Sequence, residues 1–237
     1  MNPDIAAVLA GEKRWCVRQV SLATVREFIE QWHYSHSVNG VKIDVCFALV
    51  DPDDGIVGAA VFGPLSTTAW KAYGEKESDV TELRRLVCVD ACPKNTETWF
   101  LSRCMKALRR MKLWKICVSY ADPTYGHYGA VYQAASWNYQ GQTPGDVSLV
   151  TPDGRRYHSR ALRTKFNGRY KPFVLRLRQL DAAGELRREK LQGKHIYTYT
   201  LAGVHRHGGM EYPKGTLARN APRRRIDAAE RQGRLAL

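Results

Sequence analysis

No apolar run in this 237-residue chain approaches the roughly 20 residues that a membrane-spanning helix needs. Met1 to Ala10 also lack the charged-then-apolar order of a secretory leader. Both absences predict a cytoplasmic chain with no membrane partner. There is no Cys-x-x-Cys pair: Cys88 and Cys92 stand four apart, and Cys16, Cys46, Cys104 and Cys117 are scattered through apolar contexts. All six read as reduced, mostly buried thiols, which excludes a zinc knuckle and a disulfide framework. No His-x-x-x-His or clustered carboxylate motif marks a metal site. No glycine occurs from Glu75 to Tyr125, which excludes a glycine-rich phosphate loop there. No repeat or low-complexity tract is present.

What the chain does have is positive charge, unevenly placed. The net charge is +14. Residues 1–150 hold 16 Lys+Arg against 16 Asp+Glu, whereas residues 151–237 hold 21 against 7. A solvated basic tail is the plainest explanation, but an excess this one-sided is the electrostatic footprint of a nucleic-acid partner.

Hydrophobic spacing orders the rest. Thr24 and Glu27 form a T-x-x-E capping pattern, followed by Val25, Phe28, Ile29 and Trp32 on one helical face. His33, Tyr34 and His36 then fall at the helix exit. Val41 to Val50 and Ile56 to Phe62 read as a hairpin around Asp51-Pro52-Asp53-Asp54-Gly55. Leu65 to Asp79 is an irregular insert. Thr81 to Asp90 is a strand, and Thr96 to Met111 a helix with a basic face of Arg103, Lys106, Arg109 and Arg110. Ile116, Val118 and Tyr120 alternate as a strand that ends at Asp122 and Pro123. Tyr128, Val131, Tyr132 and Ala135 follow at helical spacing. Gly145 to Thr151 and Arg155 to Phe166 read as a long basic hairpin, Phe173 to Leu177 and Ile196 to Leu201 as strands, and the chain from Glu211 as a poorly ordered basic tail.

A carboxylate at a strand's carboxyl end stands where open α/β sheets place ligands. Asp122 can therefore act as a base or hydrogen-bond acceptor, and Trp32, Tyr34, Tyr125 and Tyr128 as stacking surfaces, with His36 and His127 nearby in sequence. The competing explanation is a buried strand with an aromatic helix packed on it. The basic hairpin, with Arg155, Arg156, Arg160, Arg163 and Lys165, suits phosphate contact along duplex DNA. The basic helix face is its rival.

Tyr120-Ala121-Asp122, Gly126-His127, Gly129 to Ala134 and Trp137 to Gly141, with Trp32-His33-Tyr34-Ser35-His36 upstream, resemble the Mom family of phage DNA-modification proteins, whose prototype is from bacteriophage Mu. The resemblance spans Trp15 to Tyr170, strongest in these two places. It implies a GNAT-like α/β (α+β) fold: a mixed, mostly antiparallel central sheet flanked by helices. Residues 1–150 would form the core, 151–210 the basic hairpin and closing strands, and 211–237 a flexible tail. It implies conversion of adenine in double-stranded DNA to N6-carbamoylmethyl (acetamido) adenine, which protects phage DNA from host restriction. His33, Tyr34, Asp122 and Tyr132 match its site positions, likeness to GNAT enzymes implies Tyr132 as proton donor to a leaving group, and iron held by Tyr34, Asp122 and Tyr132 is a further implication. GNAT enzymes carry R-x-x-G-x-G/A where this chain has Ala91 to Glu97, so the missing glycines count against acetyl-CoA as donor, and the sequence names no other. Two other functions stay open: a GNAT-like N-acyltransferase acting on a protein or small amine, and a non-catalytic DNA-binding protein.

Overall fold

The computed structural model describes residues 15–40, 42–53, 55–65, 68–203 and 209–213. Its backbone groups into two compact units. The first comprises the chain up to Tyr120, then Gly129–Gln140, then Ile196 onward; the second comprises Ala121–Tyr128 and Gly141–His195. The units cut the chain at points other than residues 150 and 210.

The first unit is built on a seven-stranded sheet, and the whole has the mixed, mostly antiparallel layout expected. Strands β1 (Cys16–Val20), β2 (Val45–Val50), β3 (Ile56–Pro64) and β4 (Val80–Cys88) pair antiparallel in that order. Then come β5 (Ile116–Ala121), parallel to β4, and β10 (His195–Thr200) and β6 (Asn138–Gln142). Every residue of β2 is buried, because both faces of the sheet are covered. Helix α1 (Leu22–Trp32) lays Val25, Phe28 and Ile29 on Cys46, Ala48, Val50, Ala59 and Val61. Helix α2 (Thr96–Met111) buries Phe100, Leu101, Cys104, Met105 and Leu108. The insert after β3 forms two 3-10 turns and packs Trp70 and Tyr73 with Ile116 and Val118. All six cysteines are free. Among the described residues no helix is long and apolar enough to cross a membrane.

The second unit carries a three-stranded sheet in the order β8 (Arg156–His158), β7 (Asp146–Val150), β9 (Arg187–Leu191). Leu149, Leu177 and Leu186 form its small core, where helix α4 (Pro172–Ala182) contributes Leu177.

Several local expectations are corrected. The N-cap of α1 is Ser21, whose hydroxyl accepts the Thr24 N–H at 3.3 Å, so the helix starts before the Thr24 capping pattern. Phe173–Leu177 is helical: Pro172 supplies the fixed φ of a first helical residue, and Val174 and Leu177 are buried three apart. The long basic arm is only three residues of strand. After His158 the chain enters a 3-10 turn, Ser159–Arg163, because Ala161 and Leu162 pack onto the Leu149 cluster. Helix α3 is only Ala130–Ala134, so Tyr128 precedes it. Met210 pairs with Tyr139, and Tyr212 donates its hydroxyl to the Trp137 carbonyl at 2.9 Å, so the chain just past 209 is held; the expected tail from residue 214 lies outside the described residues.

Gly129 opens helix α3 at φ +82°, and a Cβ there would stand 2.2 Å from Cε2 of the fully buried Tyr197. An L-residue in that conformation costs about 1–2 kcal/mol before any clash. Gly129→Ala is therefore expected to lose more than that in a urea titration. A variant within about 0.5 kcal/mol of wild type, the range of ordinary surface changes, contradicts the close approach.

Candidate active site

In the first unit the β4–β5 ladder runs from Val80↔Ile116 to Leu83↔Ser119. Beyond it β4 stays with β3 as far as Cys88, and β5 continues to Ala121. Ser119 stands where the ladder stops. Its Oγ lies 3.2 Å from the Leu83 carbonyl and 2.8 Å from the Tyr132 hydroxyl. A serine hydroxyl has one proton. Given to Leu83, it leaves Oγ to accept the proton of Tyr132; given to Tyr132, it frees the phenol proton for another acceptor. Burial pushes the Tyr132 phenol well up, only partly offset by the bond to Ser119, so the group is a neutral donor at physiological pH. Tyr132 is wedged between Trp137 and Tyr197, at ring distances of 5.2 and 5.1 Å. The wedge arises because Ser136 turns left-handed at φ 58° and brings Trp137 back under the helix, its N–H on the Tyr132 carbonyl.

The exit of α1 supplies the next members. His33 is buried, and its Nδ1 accepts the Ser35 N–H at 3.1 Å with the Ser35 hydroxyl at 2.8 Å, so a neutral ring carries its proton on Nε2. Its ring lies 4.3 Å from that of Tyr34, which is 43% exposed. Tyr34 is within electrostatic reach of Tyr132 and of Arg85 on β4. Arg85 Nε donates to the Ser37 carbonyl at 3.0 Å, which ties the loop after α1 to the sheet.

The second unit contains Asp122, 7% exposed. Lys194 Nζ stands 3.0 Å from its Oδ2, and the Thr124 N–H donates to its Oδ1 at 3.0 Å. Burial pushes the carboxyl up, but these bonds from Lys194 and Thr124 outweigh it and hold the group below the usual carboxylate range. The Asp122 carbonyl also accepts the N–H groups of Tyr125 and His127, so one residue shapes the loop. Tyr125 and Tyr128 are exposed on it, Tyr128 with its ring 5.7 Å from that of His195.

The sequence matches the Mom protein family over residues 14–214. The chain belongs to that family. Among curated proteins none matches. Solved structures similar to this chain include an N-acetyltransferase from Staphylococcus aureus Mu50, at 12% identity and a TM-score of 0.45, covering 80% of this chain and 99% of that one. Arabidopsis thaliana NAA60 in complex with acetyl-CoA has the same identity, score and coverage. The ribosomal-protein-S18-alanine N-acetyltransferase from Escherichia coli is 10% identical with a TM-score of 0.43, covering 83% of this chain and 99% of that one.

For a Mom-family chain, the structure gathers His33, Tyr34 and Tyr132 in one unit and places Asp122, Tyr125, His127 and Tyr128 in the other. Trp32 packs against Phe28 in the α1 core, and His36 turns back at φ 45° to place Nδ1 on the Glu30 carbonyl at 2.9 Å. Arg85, Ser119 and Lys194 escaped the sequence reading. Two adjacent arginines inside an apolar strand were a legible signal for Arg85; a serine and a lysine elsewhere carry none. Of the expected DNA contacts, Arg155 lies 3.4 Å from Asp153 and Arg156 pairs with Glu189, while Lys165 sits over the Tyr170 ring.

Of the donors named for iron, Tyr34 and Tyr132 belong to the first unit and Asp122 to the second. Among the described residues no three His, Cys, Asp or Glu side chains gather as ligands. Lys194 Nζ stands on the Asp122 carboxylate. The case against acetyl-CoA is also weaker than the missing glycines implied. The turn before α2 takes its left-handed residue from Asn95, at φ 69°, a side chain that tolerates that conformation. A tight turn into the helix thus forms without glycine, and acetyl-CoA remains open as a donor.

Proposed function

We propose that this Mom-family chain converts adenine in double-stranded DNA to its N6-carbamoylmethyl form in the host cytoplasm, protecting phage DNA from restriction. The family match over residues 14–214 carries the proposal, and the Ser119–Tyr132 hydroxyl pair at the end of the β4–β5 ladder supports it chemically.

To react, the adenine leaves its stack. The exposed Tyr125 and Tyr128 offer aromatic faces for it. Asp122, kept ionised by Lys194, accepts a hydrogen bond from N6 and takes the N6 proton once the new N–C bond has made that nitrogen strongly acidic, which a carboxylate of low proton affinity can do. Tyr132, kept neutral by burial, donates its proton to the leaving group or to the oxygen where charge develops, with Ser119 as the relay. Acetyl-CoA would deliver only an acetyl group, so the carbamoylmethyl product requires a donor that brings its own amide nitrogen and a leaving group on the methylene carbon.

Mass spectrometry of hydrolysed plasmid DNA from expressing cells tests the proposal. The expected product is deoxyadenosine with one N6 hydrogen replaced by a carbamoylmethyl group. Unmodified DNA beside an acylated protein or small amine would instead establish an N-acyltransferase, and unmodified DNA with no acylated product a DNA-binding protein.

A further inference from the structure

A cleft of about 970 Å³ runs beside helix α2 on the side of strand β1, wholly within the first unit. Its walls carry the cations Lys94, Arg103, Lys106 and Arg110, and the tryptophans Trp15 and Trp99. None of the described residues that line it is acidic. Helical periodicity makes the row: positions 103, 106 and 110 are spaced three and four apart and share one face. At 1.5 Å per residue that row is about 10 Å long, and Lys94 extends it past the start of the helix. Trp99 is 37% exposed, with the Arg103 guanidinium 5.0 Å above its ring. Arg109, one position off the row, instead donates to the Thr200 carbonyl and stacks on Tyr199.

A solvated helix face ordinarily mixes charge signs. This one does not, although residues 1–150 as a whole are balanced at 16 cations and 16 anions. The second unit shows the opposite habit, with Arg155 and Arg156 set beside Asp153 and Glu189, which cancel part of their field. The α2 cleft thus combines the positive charge of Lys94, Lys106 and Arg110, none of which is paired with a carboxylate among the described residues, with exposed aromatic surface, which is the makeup of a single-strand nucleic-acid groove.

We infer that the cleft between α2 and β1 holds one strand of DNA, phosphates along the cation row and unstacked bases against Trp99. The inference rests on the DNA-modifying reading above and adds where a strand opened at the target base is held. Duplex would use the cations but leave the tryptophan faces idle.

The test is fluorescence anisotropy of labelled single-stranded and duplex oligonucleotides against salt, using the full chain. Wild type is compared with Lys106→Gln/Arg110→Gln, Trp99→Ala and Arg155→Gln/Arg156→Gln. Lys106 and Arg110 are exposed, so their double variant folds; a circular dichroism spectrum checks it, and Lys94→Ser is the substitute. For single strands, the α2 double variant is expected to flatten the slope of log affinity against log salt by about 1.4, at about 0.7 per lost phosphate contact. Trp99→Ala should bind single strands roughly tenfold more weakly with little change in slope. The Arg155/Arg156 variant should move the slope less. An unchanged slope in the α2 variant overturns the inference, as does a wild type that binds duplex but not single strands. Loss of acetyl-CoA affinity with DNA affinity intact would reassign the cleft to the coenzyme. The plasmid assay keeps the two readings apart: modified DNA with an unchanged slope sinks the cleft alone, whereas unmodified DNA with the expected slope change sinks the activity and keeps the cleft.

Discussion

Tyr132→Phe is expected to abolish adenine modification while the protein stays folded. The ring is held between Trp137 and Tyr197, and phenylalanine keeps that ring. What disappears is one hydroxyl, 2.8 Å from Ser119 Oγ, and Ser119 retains the Leu83 carbonyl as a partner. The stability cost is that of one hydrogen bond, about 0.5–1.5 kcal/mol. The rate cost is that of a positioned acid, about 10²–10⁴-fold. Ser119→Ala should give a smaller loss, because the phenol proton remains and only its relay partner is gone. Modified-nucleoside yield over time, read beside a urea titration, checks both. A Tyr132→Phe protein that modifies DNA at the wild-type rate would reduce the tyrosine to core packing.

Asp122→Asn is the second large effect expected: loss of activity by about 10²-fold or more, with only a small change in stability. The amide keeps an oxygen for the Thr124 N–H and is nearly the same shape. It loses the charge that Lys194 faces, and half of the Lys194 side chain is in water. Solvent screening therefore limits the pair to under about 1 kcal/mol. Its pH dependence has a definite sign. The folded-state carboxyl is held below its unfolded value of about 3.9, so its stabilisation is complete above that pH and lost as pH falls through the folded value. The stability gap between wild type and Asp122→Asn should thus close only in strong acid, and stay constant from pH 5 to 8. The same low value means that Asp122 does not produce an acid limb in the activity profile between pH 5 and 8. Such a limb in wild type that vanishes in Asp122→Asn would show a carboxyl of raised affinity and contradict the ion pair with Lys194.

Elements with strong local periodicity were legible before any coordinates. Val25, Phe28, Ile29 and Trp32 mark α1 because a 3.6-residue repeat buries one stripe, and α2 runs over the very residues its spacing indicates, Thr96–Met111. The strand ending at Asp122, the hairpin of β2 and β3, and the motifs around Asp122 and Tyr132 were readable in the same way, from neighbours in the chain. Phe173–Leu177 was not, since a short apolar run suits strand or helix until Pro172 and the Leu149 and Leu186 contacts choose. Partnerships across long sequence separations were silent. Lys194 meets Asp122 only because the chain returns after the three-stranded sheet, and Ser119 meets Tyr132 only because the β4–β5 ladder ends at Leu83. Arg85 reaches the loop of Tyr34 through Ser37, 48 residues before it. The sequence alone determined the strongly periodic helices and strands, where the charge excess lies and which family's motifs are present, because each depends on spacing along the chain. The proton state of Tyr132, the ion pair on Asp122 and the one-signed cleft of α2 were decided by tertiary structure, because burial and pairing belong to side chains brought together from distant segments.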